Sequence, residues 1–253
     1  MSEQTTIGPG WVRHHHDELG STNDEARRLA QEGAPHGTTV TAESQTAGRG
    51  RQGRAWTAPR GQGLTASFLL RGLDRPGLLP LAAGVAVADV VGPAAQLKWP
   101  NDVVLVGRDR PDAPPAGDGL RKLAGILAEG RPAEDWAIVG IGLNVAIDLA
   151  ALPEDVARRA ATLGRTAGER DAVLDALAHR LDEALALAPD DLLQRWAERD
   201  ALRGRDVRWT ALDGSADHGR ADGVDADGRL RIVRGDGSVV TVDAGEVHLA
   251  VGA

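Results

Sequence analysis

The sequence predicts an α+β protein with a small all-β unit at its end, and three observations lead there. Up to about residue 203, segments with helical apolar spacing alternate with short apolar segments of strand length. Beyond that point, Asp-Gly pairs at 213–214, 227–228 and 236–237 punctuate five short alternating segments, a hairpin signature. The chain has 253 residues and is 42% apolar. Although 42 residues are alanine, enough larger side chains remain for one compact core.

Residues 1–10, MSEQTTIGPG, read as a frayed, disordered terminus. A helix is expected over 23–32: Ser21 and Thr22 can cap it, Asp24 and Glu25 suit its positive first turn, and Gly33 ends it. Residues 38–43 read as a strand and 45–63 as a glycine-rich polar stretch. A strand over 64–71 precedes an alanine-rich buried helix over 77–91. Short strands at 96–99 and 103–106 flank a Pro-Asn-Asp turn. Residues 107–121, GRDRPDAPPAGDGLR, read as an exposed loop. Strands follow at 123–129 and 136–147, the second interrupted by glycines. Thr166 and Glu169 fit a capping box, and Val173, Leu174, Leu177, Leu181 and Leu185 share one helix face. Pro189 restarts a shorter helix that runs to about residue 202. The terminal strands are expected at 207–212, 219–224, 230–234, 239–242 and 247–251, forming a five-stranded barrel. This divides the chain into a terminus (1–10), a main domain (11–203) and the barrel (204–253).

Composition removes several function classes. The net charge is −8, which argues against nucleic acid as the main partner because neutralising phosphates needs a basic surface. With no cysteine there is no disulfide, thiolate nucleophile or Cys-based metal site. No leader and no apolar run near 18 residues is present, so a soluble cytoplasmic protein is expected. Of 29 basic residues only Lys98 and Lys122 are lysines. In a chain that otherwise uses arginine, these two are candidates for places that need a compact ammonium.

The densest motif is QTAGRGRQGRAW at 45–56. Its glycines at 48, 50 and 53 have dinucleotide-fingerprint spacing. That reading needs an apolar strand directly before the motif and a helix after it, and SQT and AWTAP supply neither. Arg49, Arg51 and Arg54 among glycines instead suit a loop that bends around an anion and orders when phosphate arrives. An exposed basic turn is the plain alternative. KWPND at 98–102 sets Asn101 beside Asp102 at a strand end, where both could merely bond their own backbone. KLAGIL at 122–127 puts Lys122 into an apolar strand near Gly125, and GIGLN at 140–144 is a glycine-thinned strand ending in Asn144. Ser21, Thr22 and Asn23 stand where a helix begins, as caps or as ligand contacts. Of His14, His15 and His16, only the outer pair could share one strand face and a metal, and no third ligand is apparent.

Taken as an ordered set, STN, QxxGRGRxGRxW, KWPND, KLAGIL and GxGxN resemble the biotin–protein ligases. The resemblance covers about residues 12–250. It implies a mixed sheet flanked by helices, like class II aminoacyl-tRNA synthetases, with an SH3-like C-terminal domain. It implies a ligase that makes biotinyl-5'-AMP from biotin and ATP with Mg²⁺, then biotinylates a lysine of a biotin carboxyl carrier domain of an acetyl-CoA or acyl-CoA carboxylase. Matched position by position, Ser21, Thr22, Asn23, Gln45, Arg49, Gly50, Arg51, Lys122 and Gly125 fall to biotin or its adenylate. Arg54, Trp56, Lys98, Asn101 and Asn144 fall to ATP, with Asn144 on the adenine. Lys122, Arg51 and Asp102 carry the catalytic roles, and Asp102 is also the residue for the metal. Some members carry an N-terminal DNA-binding domain that this chain does not match, so no DNA binding and no membrane association are expected. Gln52 stands where some members have a second arginine, and Ala250 where some have an arginine near ATP.

The chemistry fits those residue types. A free carboxylate is ionised at pH 7, so adenylation needs positive charge rather than a general base. A carrier lysine must lose a proton before it attacks, and Asp102 is the carboxylate placed to take it. A lysine-to-arginine change should therefore matter at Lys122, whereas Arg121, on the other strand face, should tolerate lysine. A lipoate–protein ligase and a non-catalytic biotin sensor are the alternatives.

Overall fold

The computed structural model describes residues 3–106, 119–210, 214–243 and 245–249. Its main body is a sheet of β1 (Glu3–Ile7), β2 (Trp11–Leu19), β3 (Thr38–Gln45), β4 (Gly63–Leu70), β5 (Ala95–Lys98), β6 (Asp102–Val106), β7 (Leu120–Arg131) and β8 (Trp136–Asn144). They lie in the order β1-β2-β3-β4-β8-β7-β6-β5. The sheet is mixed because α1 (Thr22–Gln31) carries the chain from β2 to a parallel β3, and a parallel pairing needs such a crossover. The other pairings among the described strands are antiparallel. β4 is buried along its whole length, as the run GLTASFLL allows.

Helices cover both faces. On one, Ala26 and Ala30 of α1 pack on Val40, Leu69, Trp136 and Ile138. On the other lie α2 (Leu79–Val91), α4 (Arg170–Leu185) and α5 (Pro189–Ala197), with the one-turn α3 (Glu154–Ala157) between β8 and α4. α2 is apolar around its circumference and buried from Leu79 to Ala88 apart from Pro80, as expected of a helix between a sheet and two others. Gly84 is required there: a Cβ would lie 2.9 Å from the Trp196 ring. The capping box forms as the sequence indicates, the Thr166 N–H donating to Glu169 Oε2 at 2.8 Å.

The C-terminal strands β9 (Asp206–Thr210), β10 (Ala216–Val224), β11 (Leu230–Val233), β12 (Val239–Val242) and β13 (Glu246–Leu249) form a five-stranded antiparallel sheet ordered β12-β11-β10-β9-β13. It is fixed to the main body through the Trp99 indole, which is 2% exposed and donates to the Gly228 carbonyl at 3.0 Å. Gly228 packs on Leu78 and Leu81, closer than a side chain would permit without displacing them.

Three expectations need correction. The frayed terminus is instead a strand: β1 pairs antiparallel with β2, Ile7 is buried, and Gly8-Pro9-Gly10 makes the turn. Gly8 adopts φ +50° and gives its N–H to Asp175, tying the hairpin to α4. The 107–121 loop ends earlier than expected, since Leu120 and Arg121 already belong to β7; residues 107–118 lie outside the described residues. Arg121 is only 1% exposed, so it does not occupy a permissive surface position, and lysine there would not be silent.

Candidate active site

Beside the N-terminus of α1, the glycine-rich loop after β3 closes over β7 and β8 and encloses a cavity of about 180 Å³. One wall is polar and buried. Ser21, Thr22 and Asn23 are each 4% exposed, and Ser67 on β4 is fully buried behind them. Ser21 takes the cap position but makes no capping bond, contrary to the sequence expectation. Gln45 does that work instead: its Oε1 accepts from the Thr22 N–H at 2.8 Å and from the Thr22 hydroxyl at 3.2 Å. Ser67 Oγ reaches Thr22 Oγ1 at 2.8 Å and Asn23 Oδ1 at 2.6 Å. The result is a connected set of neutral hydrogen-bonding groups with little freedom to reorient.

The floor is made of strand backbone. A Cβ on Gly140 would come within 2.2 Å of Asn23 Oδ1, and one on Gly142 within 2.2 Å of the Trp56 ring. At Gly125 it would meet Lys122 and Trp56 at 3.0 and 3.1 Å. Trp56 thus lies flat against glycine backbone, with its indole N–H buried and without a partner. The signal for this floor was in the sequence, because glycine inside an apolar strand marks close approach.

The far end is charged. Lys122 Nζ forms a 2.7 Å ion pair with Asp102 Oδ1 and lies 5.6 Å from the centre of the Trp56 ring. Asn101, held by its donation to the Ile126 carbonyl at 2.8 Å, accepts from Arg51 at 3.4 Å. Burial of the Arg51 guanidinium pulls its pKa down, against the attraction of Asp102, and Arg54 adds to the lowering. An arginine remains charged under that pressure, so Arg51 is a cation kept partly out of water and available to an anion. The loop bearing it is held differently from the wall. Gln52 has φ +56°, unusual for a side-chain-bearing residue, and Gly53 continues in the same region at +73°. Arg49 reaches away to Asp24 of α1.

The structure brings fourteen of the fifteen candidate residues together. Ser21, Thr22, Asn23, Gln45, Arg49, Gly50, Arg51, Arg54, Trp56, Lys98, Asn101, Asp102, Lys122 and Gly125 all line the cavity. Asn144 does not. Its Nδ2 donates to the Ala161 carbonyl at 2.9 Å and the Lys122 carbonyl at 3.4 Å, strapping β8 to β7 and to the segment after α3. Sequence reasoning missed Thr65 and Ser67, although two hydroxyls spaced by two in an apolar strand are a signal for one polar face. It also left out of the site Gly245, just before β13, and Val247 and His248 on that strand, which reach the cavity from the C-terminal sheet. Ala250 lies outside the described residues. Among the described residues no group of three or more His, Cys, Asp or Glu side chains could hold a metal ion, and Asp102 is already paired with Lys122. Asp102 lines the cavity as a single carboxylate, the number that a nucleotide-borne magnesium ion ordinarily takes from a protein. No helix among them is long and apolar enough to cross a membrane.

Residues 19–145 match the biotin/lipoate A/B protein ligase family, and residues 204–249 match the biotin protein ligase C-terminal domain. A biotin–[acetyl-CoA-carboxylase] ligase of Mycobacterium tuberculosis is 36% identical over 251 residues, covering 92% of this chain and 87% of that protein. The bifunctional ligase/repressor BirA of Bacillus subtilis is 32% identical over 240 residues, 88% of this chain and 70% of its own. Among solved structures, a biotin protein ligase from Aquifex aeolicus in complex with biotin and ATP superimposes with a TM-score of 0.75 at 28% identity, covering 95% of this chain and 99% of that one. The family matches, the relatives and the fold agree along nearly the whole chain, which belongs to the biotin/lipoate A/B protein ligase family.

Proposed function

We propose that this chain is a biotin–protein ligase: it activates biotin with ATP as biotinyl-5'-AMP and passes the biotinyl group to a lysine of a carboxylase's biotin carboxyl carrier domain. The observation that carries the reading is the division of one cavity into a buried neutral end and a cationic end. The ureido ring of biotin offers two N–H donors and a carbonyl, which the groups around Thr22, Asn23, Gln45 and Ser67 are suited to meet. The dithiolane of lipoate offers nothing equivalent, and a site built for hydrogen bonds rejects a ligand that leaves them unmade by factors as large as about 10⁴–10⁵.

The tail carboxylate then lies toward Lys122 and Arg51. Already ionised at pH 7, it attacks the α-phosphorus of ATP directly, and pyrophosphate leaves with the bond electrons. Lys122, Arg51 and Arg49 offset the charge of the approaching anion and of the leaving group, with Lys98 and Arg54 lining the same cavity. Asp102 is the carboxylate that would face a magnesium ion carried by the ATP phosphates, and the ion would supply further positive charge there. When the α-phosphate draws Lys122 away from Asp102, the carboxylate is released from its 2.7 Å pair. Asp102 is then free to take the proton from the carrier lysine, whose amine attacks the acyl carbon and displaces AMP.

ATP–pyrophosphate exchange with biotin and lipoate side by side is the test. Biotin should support exchange and lipoate should not. Equal stimulation by the two acids would remove the assignment to biotin.

A further inference from the structure

Glu129 lies on β7, seven residues beyond Lys122 and outside the cavity that holds Lys122, and the reaction as derived makes no use of it. Its carboxylate nevertheless touches both sides of the site. Oε2 accepts from Asn23 Nδ2 at 2.7 Å and lies 3.5 Å from Arg49 Nη2, while Oε1 pairs with Arg27 at 2.9 Å. Arg27 also holds Asp24 at 2.7 Å, and Asp24 holds Arg49. Glu129, Arg27, Asp24 and Arg49 thus close a ring of alternating charge between α1, β7 and the arginine-rich loop.

Most such rings on a protein surface contribute little. This one differs in what it borders. Asn23 is buried on the cavity wall, its oxygen faces the Ser67 hydroxyl, and Gly140 leaves it no room to swing. Without Glu129 its amide nitrogen keeps only a 3.4 Å contact with the Leu127 carbonyl. A charge-assisted bond is about twice as strong as a neutral one, so the carboxylate largely decides how this amide is presented. We infer that Glu129 is a positioning residue for substrate recognition: it fixes the Asn23 amide and, through Arg49 and Asp24, holds the arginine-rich loop beside the wall it helps to orient. The inference rests on the reading that the cavity takes biotin.

Calorimetry with biotin, and exchange kinetics with ATP, test it in Glu129→Ala, Glu129→Gln and, as a control at the far end of the same hairpin, Glu134→Gln. Glu129→Ala should weaken biotin binding about thirtyfold, the size expected for losing a hydrogen bond to a charged group. Its kcat at saturating biotin should stay within about threefold, a split that general loss of structure would not produce. Glu129→Gln keeps an acceptor for Asn23 and should recover most of the affinity, while amide exchange across 48–56 quickens because the charge facing Arg49 is gone. Glu134→Gln should change neither. An affinity within about twofold of wild type in Glu129→Ala would overturn the inference, as would a glutamine variant no better than alanine. Should Glu129→Ala not fold, Asp24→Asn breaks the ring without touching Asn23. It should speed exchange across 48–56 about tenfold, and unchanged exchange would overturn the inference equally. A wild-type chain that binds no biotin would remove the function and this inference together; wild-type binding with an indifferent Glu129 would remove this inference alone.

Discussion

The two sides of the cavity are made in opposite ways. The wall of Ser21, Thr22, Asn23 and Ser67 grows out of the core: every member is buried, each of the last three is bonded to another, and a helix and two strands hold them. The loop of Arg49, Arg51 and Arg54 lies on that core with its ends pinned by a few backbone bonds, Trp56 N–H to the Gly48 carbonyl at 2.9 Å and Gly50 N–H to the Arg54 carbonyl at 2.7 Å. Recognition of a neutral heterocycle rewards a preformed set of donors and acceptors, because an unmade bond there is costly. Joining two anions, as adenylation does, rewards cations that can close after both have entered. The difference teaches that this site separates selecting its substrate from activating it, and gives each to the kind of structure that suits it.

Two glycine substitutions on β8 probe that contrast most severely. In Gly140→Ala the new methyl collides with the locked Asn23 amide, so biotin binding should fall below detection and Tm should drop by several degrees, as overpacking of about 1–3 kcal/mol implies. In Gly142→Ala the collision is with Trp56, which rides on the loop and can retreat. Tm should then hold within about two degrees while exchange activity falls. Equal destabilisation by the two changes would show that the loop is as rigid as the wall.

Lys122→Arg comes next. The ammonium sits between Asp102 at 2.7 Å and the backbone of Gly125, whose Cβ position is 3.1 Å from Nζ. A guanidinium keeps the charge but needs a broad plane that this space does not provide. Adenylation should fall about 10²–10³-fold with little change in Tm, the loss typical of one misplaced charge-stabilising contact. Near-normal turnover would mean that the cationic end tolerates loose geometry, and that Lys122 acts only as bulk charge.

Much of this was legible before the structure, for identifiable reasons. The motifs carried their chemistry in residue type and spacing, so residues far apart in sequence could be assigned to one site. Helix ends and hairpin turns followed from Gly33, the Thr166–Glu169 box and the Asp-Gly pairs at 227–228 and 236–237. What could not be read was long-range. Nothing local says that Gln45, and not Ser21, completes the helix N-terminus, because that bond joins residues 23 positions apart. Nothing local says that Glu129 meets Asn23 across 106 residues, or that Arg121 points inward. The β1 hairpin was hidden by a polar strand, EQTTI, and the Gly8-Pro9-Gly10 turn that joins it to β2 was read as part of a frayed terminus.

A smaller effect separates the loop from the wall in solution. Gly48, Gly50, Gly53, Gly61 and Gly63 fall within 48–63, and amides there should exchange quickly in the free protein and slowly with biotin and ATP bound. Amides at the start of α1 should be protected in both states. Equal protection of the loop with and without ligands would make it a rigid turn and erase the contrast.

The smallest expected effect concerns what the wall stands on. α1 presents Glu25 and Arg28 to β2, where His14 and His16 lie partly buried. Burial is the largest cause holding both imidazoles below the ordinary histidine pKa; each also lowers through a neighbouring histidine and through Arg28, while Glu25 pulls the other way. A histidine whose folded pKa is depressed binds its proton more readily in the unfolded chain. Its contribution to stability is therefore complete above the unfolded value near 6.5 and is lost as pH falls below it. Asp200 works in the opposite sense and at lower pH, since burial raises its pKa and acid favours its folded form. The urea midpoint should thus decline from pH 7.5 to 5.5, and the His14→Gln/His16→Gln double variant should flatten that decline. A variant that keeps the full slope would show that protonation elsewhere loosens the fold, and that the base of the wall is indifferent to these two histidines.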